Sequence, residues 1–294
     1  MRRVVNLIGR VLIGIGSLLL LFVAYQLWGT GLHEARAQQD LRHAFEASLA
    51  ATPTTAKASP GAATTTTEAP PPPPVGDAVA VLRIPKIGVN KTIVEGVGVP
   101  DLKKAPGHYP GTPLPGQAGN SAIAGHRTTY GAPFYRLDEL DRGDVILVTT
   151  RQGRFRYIVD STTTVKPTQT EVLTQTLGTR LTLTTCTPRF SARQRLVVTA
   201  SLTGEPAPAP PPTTVAPGTK PRRVTIEQPS LSGDRAAAAP TVEWAFAVSL
   251  LAFAIWLLGR RWRKRWAYLL GAPVFLLVLF IFFENVARLL PANI

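Results

Sequence analysis

Nucleophilic chemistry in this chain has one obvious carrier. Cys186 is the single cysteine among 294 residues, and it closes the β-patterned run LTLTTC at 181–186. A lone thiol has neither a disulfide partner nor a second thiolate for a metal, so it is either a small buried hydrophobe or a nucleophile. A nucleophilic cysteine needs a base or cation beside it and a group to hold the oxyanion that forms on its target. His126 ends the run NSAIAGH on a glycine turn, where a scaffold presents functional side chains. His108 lies in the turn-rich GHYPGTPLPG and reads as structural, while His33 and His43 fall just beyond the first apolar segment and read as solvated surface. Arg195, nine positions after the thiol, opens the run RLVVTASL. It offers a cation for an oxyanion or for a substrate main chain, although an arginine on a strand is also an ordinary solvated charge.

Strand alternation places these groups. Leu181 and Leu183 fall on one face of their strand, Thr182, Thr184 and Cys186 on the other. If RLVVTASL pairs back through TPRFSARQ, Arg195 comes to the side of the thiol. Further short apolar runs, AVLRIP, NSAIAG, DVILVTT and RFRYIV, are separated by Gly/Pro turns, and the best helical turn is FYRLDEL at 134–140. Many short strands within residues 78–204 predict a mainly β domain, a closed barrel or a sandwich.

Around that domain, composition changes sharply. Residues 52–75 and 205–221 are Pro/Thr/Ala-rich spacers that cannot bury a core. Residues 11–28, 242–258 and 267–283 are apolar for long enough to cross a bilayer. Arg2, Arg3 and Arg10 precede the first; Arg260, Arg261, Arg263, Lys264 and Arg265 lie between the second and third. By the positive-inside rule both basic groups face the cytoplasm, which leaves 78–204 outside. The competing reading of the first segment is a cleaved signal peptide, with Ala35-Arg36-Ala37 as its small-x-small site; the domain is exported either way. The expected organisation is an anchor at 1–30, a tether with a Pro/Thr-rich linker at 31–77, a catalytic domain at 78–204, a Pro-rich linker at 205–240 and a two-helix transmembrane hairpin at 241–294. The formal charge is +14, of which 78–204 holds sixteen Lys/Arg against eight Asp/Glu. An exported basic domain suits anionic lipid or wall polymers. Nucleic acid is not an expected partner, since no aromatic-basic motif accompanies the charge.

Three separated stretches carry a resemblance: LRIPKIGVN (82–90), PGTPLPGQAGNSAIAGHRTTYGAPFYRLDELDRGDVILV (110–148) and TLTTCTPRFSARQRLVV (182–198). Together they resemble the sortases, the wall-sorting cysteine transpeptidases of Gram-positive bacteria. AGHRTTYG with TLTTCTPxxSAxxR is most similar to the class E sortases of high-GC actinobacteria. The resemblance implies an eight-stranded closed β-barrel with short helices, Cys186 as nucleophile, His126 as the catalytic histidine and Arg195 as the residue that stabilises the acyl-transfer intermediate. It also implies clients, secreted proteins with LAxTG-type or LPxTG-type sorting signals, cut between Thr and Gly through a thioacyl enzyme. The acceptor it implies is an amine of a lipid-linked peptidoglycan precursor.

With ordinary reference values near 8.5 for Cys and 6.5 for His, about 3% thiolate and about a quarter imidazolium are expected at pH 7, and both together in under about 1% of molecules if unlinked. Either the site lowers the thiol pKa or a minor population reacts. Three rivals remain at this stage: a pilin-polymerising sortase, which the C-terminal membrane segments suggest but the missing Asp-Pro-aromatic lid motif does not; a thiol peptidase using water; and a tethered wall-binding module without turnover. No cofactor is expected. Some sortases use calcium, and Glu95, Asp101, Asp138, Glu139, Asp141 and Asp144 form no assignable ligand set, which leaves calcium open.

Overall fold

The computed structural model describes residues 2–51, 73–175, 178–209, 237–261 and 264–289. Most of both Pro-rich spacers, and Arg263 of the basic loop, lie outside the described residues. In chain order the elements are helix α1 (Arg2–Ala24), a π-helical turn (Tyr25–Gly29), α2 (Thr30–Ala51), strands β1 (Ala78–Ile84) and β2 (Val89–Glu95), the short α3 (Val99–Leu102), β3 (Gly107–His108), β4 (Gly119–Ala124), β5 (Val145–Thr150), β6 (Gly153–Val165), β7 (Thr179–Thr187), β8 (Gln194–Thr203), α4 (Ala238–Arg261) and α5 (Lys264–Leu289). They divide into two compact units, Met1–Thr30 with Gln228–Asn293, and Gly31–Glu227.

The second unit is a closed barrel in the order β1-β2-β3-β4-β7-β8-β6-β5. Closure leaves no free sheet edge, and the inward residues of every strand meet in one core. Leu82, Ile84, Ile93, Ile123, Phe134, Ile146, Tyr157, Leu181, Leu183 and Val198 are fully buried there. Strand β5 alternates in burial residue by residue, as a one-sided strand should. Strand β4 is buried at all six positions, on both faces.

Six of the eight strands coincide with the apolar runs. The two without such a signal are β2, whose VNKTIVE mixes polar residues into the run, and β3, only two residues long. The FYRLDEL turn is reduced to a 3-10 turn at Leu137–Glu139.

Both ends of the barrel domain extend beyond 78–204. Residues 31–51, expected as the start of a tether, form most of α2 and lie against β2. Gln38 Nε2 donates to the Thr92 carbonyl (3.0 Å) while its Oε1 accepts from the Thr92 N–H (2.8 Å), so one side chain completes main-chain bonding on β2. Arg42 donates to Asn90 (3.1 Å), and Lys91 Nζ reaches both Glu34 oxygens at 2.6 and 2.8 Å. At the other end, residues expected to begin a linker still bind the barrel: the Ala207 N–H donates to Gly116 O (2.8 Å), and Gln152 donates to Pro208 O (2.7 Å).

Among the described residues three helical stretches are long and apolar enough to cross a membrane, Arg2–Ala50, Ala238–Arg261 and Ala267–Leu289; α1, α4 and α5 belong to the first unit. Such helices at both ends of the chain suit membrane association. Phe22 packs edge-on against Phe283 (5.2 Å between ring centres) and Tyr25 against Phe280 (5.0 Å), joining α5 to the α1 region. Gly271 of α5 lies against Ile255 of α4, the kind of close approach that small residues allow between helices in lipid.

Inside the barrel, Tyr157 is fully buried and its hydroxyl accepts the Gly116 N–H at 2.6 Å. Burial pushes this phenol up to about 12. Tyr157→Phe should therefore leave a buried N–H without its acceptor, lowering stability by about 1–3 kcal/mol; urea unfolding of the full chain in detergent checks the figure.

Candidate active site

Two pairings bring the three candidate residues together. Strands β4 and β7 run parallel, with Ala124 beside Thr184. One step on, the Gly125 N–H donates to Thr184 O (3.1 Å) and Gly125 O accepts from Thr185 Oγ1 (2.7 Å). His126 follows Gly125 as Cys186 follows Thr185, so the two stand level at the same end of neighbouring strands. On the other side β8 runs antiparallel to β7, with Arg195 directly opposite Cys186. The order β4-β7-β8 thus puts the thiol between the histidine and the arginine, with strand spacings of about 4.8 Å.

Leu181 and Leu183 face the core and are fully buried, so Cys186 and Arg195 belong to the outer side of the wall, as alternation predicts. Cys186 is half-buried. Burial pushes its thiol up, and the Arg195 and Arg127 guanidinium groups only partly oppose that shift. His126 keeps part of its surface exposed, but Nε2 is buried and has no hydrogen-bond partner among the described residues. Burial, with Lys103 nearby, pushes its imidazole down to about 4. Both shifts favour the neutral forms. With these directions thiol and imidazole are both uncharged at neutral pH.

Arg195 spends one guanidinium nitrogen on its own loop, with Nη1 donating to Ala192 O (3.0 Å) and Gln194 O (3.2 Å). These bonds hold the fork at the end of β8 close enough to Cys186 to act on its charge.

Further residues adjoin these three, and two of them, Arg127 and Tyr109, were not singled out by the sequence. Arg127, next after His126, is buried; Nη1 donates to Cys186 O (3.2 Å), Nε to Tyr135 O (3.3 Å), and Nη2 pairs with Asp138 at 2.8 Å. Asp138 also accepts from Arg189 in the β7–β8 loop at 3.1 Å. Burial would raise the Asp138 carboxyl, but Arg127 and Arg189 hold it below its usual value. One acid thus ties the residue after the histidine to the loop after the cysteine. Tyr109 donates or accepts with Thr184 Oγ1 at 3.2 Å and lies near enough to feel the charges of Arg195 and Cys186. Alternation along LTLTTC was a sufficient signal for Thr184. Arg127 and Tyr109 sit in loops, where no period predicts the direction of a side chain.

His108 is structural, as its setting suggested. Thr112 Oγ1 donates to Tyr109 O (2.8 Å) and so accepts from His108 Nε2 (3.0 Å), which also faces Pro113 O (2.9 Å). Nδ1 meets Glu95 at 2.7 Å, with both side chains buried. The network uses both ring nitrogens to pin the 108–113 turn.

Five of the six carboxylates left open for calcium have cationic or histidine partners, Asp101 being the exception: Glu95 as above, Asp138 with two arginines, Glu139 with Arg136, and Asp141 and Asp144 with Lys86. Among the described residues no group of three or more His, Cys, Asp or Glu side chains could hold a metal ion.

Residues 82–203 match the Sortase domain family model. Sortase SrtE1 of Streptomyces coelicolor is 34% identical over 215 residues, covering 67% of this chain and 57% of that protein. A solved Sortase D5 transpeptidase of Clostridium perfringens is 32% identical over 58% of this chain and 98% of its own, with a TM-score of 0.45. A crystal structure of Sortase E1 from Streptomyces coelicolor with a tripeptide in the active site is 33% identical over 91% of its length, TM-score 0.41. The chain belongs to the sortase family. It spans a little over half the length of the first curated sortases it matches, 57% and 56%. Cys186, His126 and Arg195 all lie inside the matched sortase region.

Because Cys186 is the only thiol in the sequence, alkylation reads it directly. In the full chain its rate should rise with an apparent pKa above the ordinary thiol value. Arg195→Gln should move that midpoint higher still, by removing the first cation that opposes burial. An apparent value below the ordinary one would contradict the burial argument.

Proposed function

We propose that the chain is a membrane-anchored cysteine transpeptidase that joins secreted proteins to a cell-wall precursor. The observation that carries this reading is the placement of Cys186 on the middle strand of three, level with His126 on one side and opposite Arg195 on the other. The tripeptide in the active site of the relative from Streptomyces coelicolor supports a peptide substrate.

The reaction follows from the groups present. The Cys186 proton passes to His126, and the thiolate attacks the carbonyl carbon of Thr in an LAxTG-type or LPxTG-type signal. Arg195 N–H groups stabilise the oxyanion that forms. His126 gives its proton to the glycine nitrogen as the C–N bond breaks, leaving a Thr–Cys186 thioester. An amine of a lipid-linked peptidoglycan precursor then attacks the thioester, His126 takes the amine's proton, Cys186 leaves as thiolate, and a new amide bond is made.

With the imidazole near 4, about one molecule in a thousand would carry imidazolium at pH 7 before any coupling to a thiolate. A neighbouring thiolate favours the imidazolium, so the two protons belong to the pair. The active form has one proton on the pair, and its population is flat between the two apparent pKa values. Arg127, fixed on Cys186 O and Asp138, keeps a positive charge beside the thiolate without competing for the proton.

Three membrane spans with the N-terminal arginines and the basic α4–α5 loop on the cytoplasmic side would place the barrel outside the cell, beside a lipid-linked acceptor. No metal is required by these steps.

The test uses the full chain in detergent, quenched fluorescent LAxTG and LPxTG peptides, and glycine-type or diaminopimelate-type amines. Acceptor-dependent ligation should vanish in Cys186→Ala, nearly vanish in His126→Ala, and drop strongly in Arg195→Lys, where a point charge replaces a planar fork. Hydrolysis without ligation to any amine would mark a thiol peptidase instead, and ligation only to a pilin lysine would mark a pilin polymerase. A further expectation concerns pH. The acid limb of kcat/KM should lie well below the ordinary imidazole value, toward 4, and the alkaline limb above the ordinary thiol value. An acid limb near the ordinary imidazole value would show that His126 is not held in its buried, neutral state.

A further inference from the structure

The ring of His126 has little to fix it through Nε2, which is buried without a partner among the described residues. What lies against the ring is Tyr130, four residues on, at 5.2 Å between ring centres, with Lys103 Nζ 5.5 Å from the Tyr130 ring centre. Tyr130 begins a run of three left-handed residues, with φ of 49° at Tyr130, 72° at Gly131 and 42° at Ala132. Two of the three are not glycine, so this backbone is unfavourable by itself and persists only where surrounding structure holds it. One restraint is internal: the Phe134 N–H donates to His126 O (3.1 Å), and the Phe134 ring covers Gly125.

A further restraint comes from α2. Glu34 is buried, bound through both oxygens to Lys91, and its carboxylate lies directly under Gly131: a Cβ added there would collide with Oε2. The φ of Gly131 and this contact both require glycine. Helix α2 is itself held in place by the paired bonds of Gln38 to Thr92, by Arg42 on Asn90 and by the burial of Phe45. The chain of contacts therefore runs from β2 through Lys91 and Glu34 to Gly131, then Tyr130 and the His126 ring.

We propose that α2 is a working part of the active site and that Glu34 is a positioning residue, holding the 130–132 backbone so that Tyr130 keeps the His126 imidazole aligned with Cys186. The proposal rests on the transpeptidase reading for its kinetic expression but not for its structural one. Glu34 touches neither substrate nor thiol; it acts through Gly131. Lys91 holds both carboxylate oxygens, so an amide of the same shape would weaken the support without emptying the space.

The experiment compares wild type, Glu34→Gln, Gly131→Ala and the double variant Glu34→Ala/Gly131→Ala, each as the full chain in detergent. Two readouts are taken: the kcat and KM of ligation, and the ring resonances of His126 among the four histidines of the sequence, assigned with His126→Asn. In Glu34→Gln we expect kcat to fall about ten- to a hundredfold, the cost of a small misplacement of a reacting group, with KM within about twofold and a displaced His126 resonance. Gly131→Ala should do the same, and removing the opposing carboxylate in the double variant should restore part of the loss. Unchanged kcat with an unchanged resonance in Glu34→Gln overturns the proposal. A lower kcat with an unmoved His126 resonance also overturns it, because α2 would then act through overall stability alone. If wild type ligates no peptide, the transpeptidase reading fails, and the resonances alone decide whether Glu34 positions His126.

Discussion

The parallel pairing of β4 with β7 is the constraint on which the site depends. Parallel neighbours end at the same edge of a sheet, so the residue that leaves β4 and the residue that ends β7 must meet. An antiparallel arrangement of the same two segments would put His126 and Cys186 at opposite ends of the wall. The alignment is held by two bonds just past the strand, Gly125 N–H to Thr184 O and Thr185 Oγ1 to Gly125 O. Thr185 is thus a register pin one residue before Cys186. Parallel pairing also needs a long crossover, and the chain uses it to build β5 and β6, which close the barrel on the far side.

Electrostatics at the site is a contest between burial and cations, and burial wins at rest. The thiol is pushed up although two guanidinium groups oppose the shift, and the imidazole is pushed down. A site that stored a full thiolate–imidazolium pair would keep a reactive, oxidisable anion exposed continuously. Here the ion pair would form chiefly when a substrate carbonyl is present to consume it. The arginines do different work. Arg195 is anchored by a single nitrogen at the end of its strand, whereas Arg127 is fully committed to Cys186 O, Tyr135 O and Asp138. Asp138, shared with Arg189, makes the loop after the thiol and the loop after the histidine into one braced structure.

Around that brace other charged groups are paired with one another. The buried His108–Glu95 pair fixes the turn that delivers Tyr109, and the acidic residues of 138–144 are matched with Arg127, Arg136, Arg189 and Lys86. Helix α2 supplies the missing main-chain partners of β2 through Gln38 and a buried acid beneath Gly131. The barrel domain is therefore larger than its β-patterned stretch.

How much of this was legible in the sequence depends on the range over which each property is set. Residue types, the outer face of Cys186 and six strands were readable because alternation along a strand is local backbone geometry, and the apolar spans because length and composition suffice. The pairing of Arg195 with Cys186 was readable as a possibility because only a short loop separates them. The tertiary structure decided the rest. Nothing within NSAIAGH states that its neighbour will be LTLTTC some sixty residues away and parallel. β2 and β3 had no apolar period to betray them, and the contact of Glu34 with Gly131 spans almost a hundred residues. The pKa shifts could not be read either, since burial is a property of what packs over a group once the chain has folded.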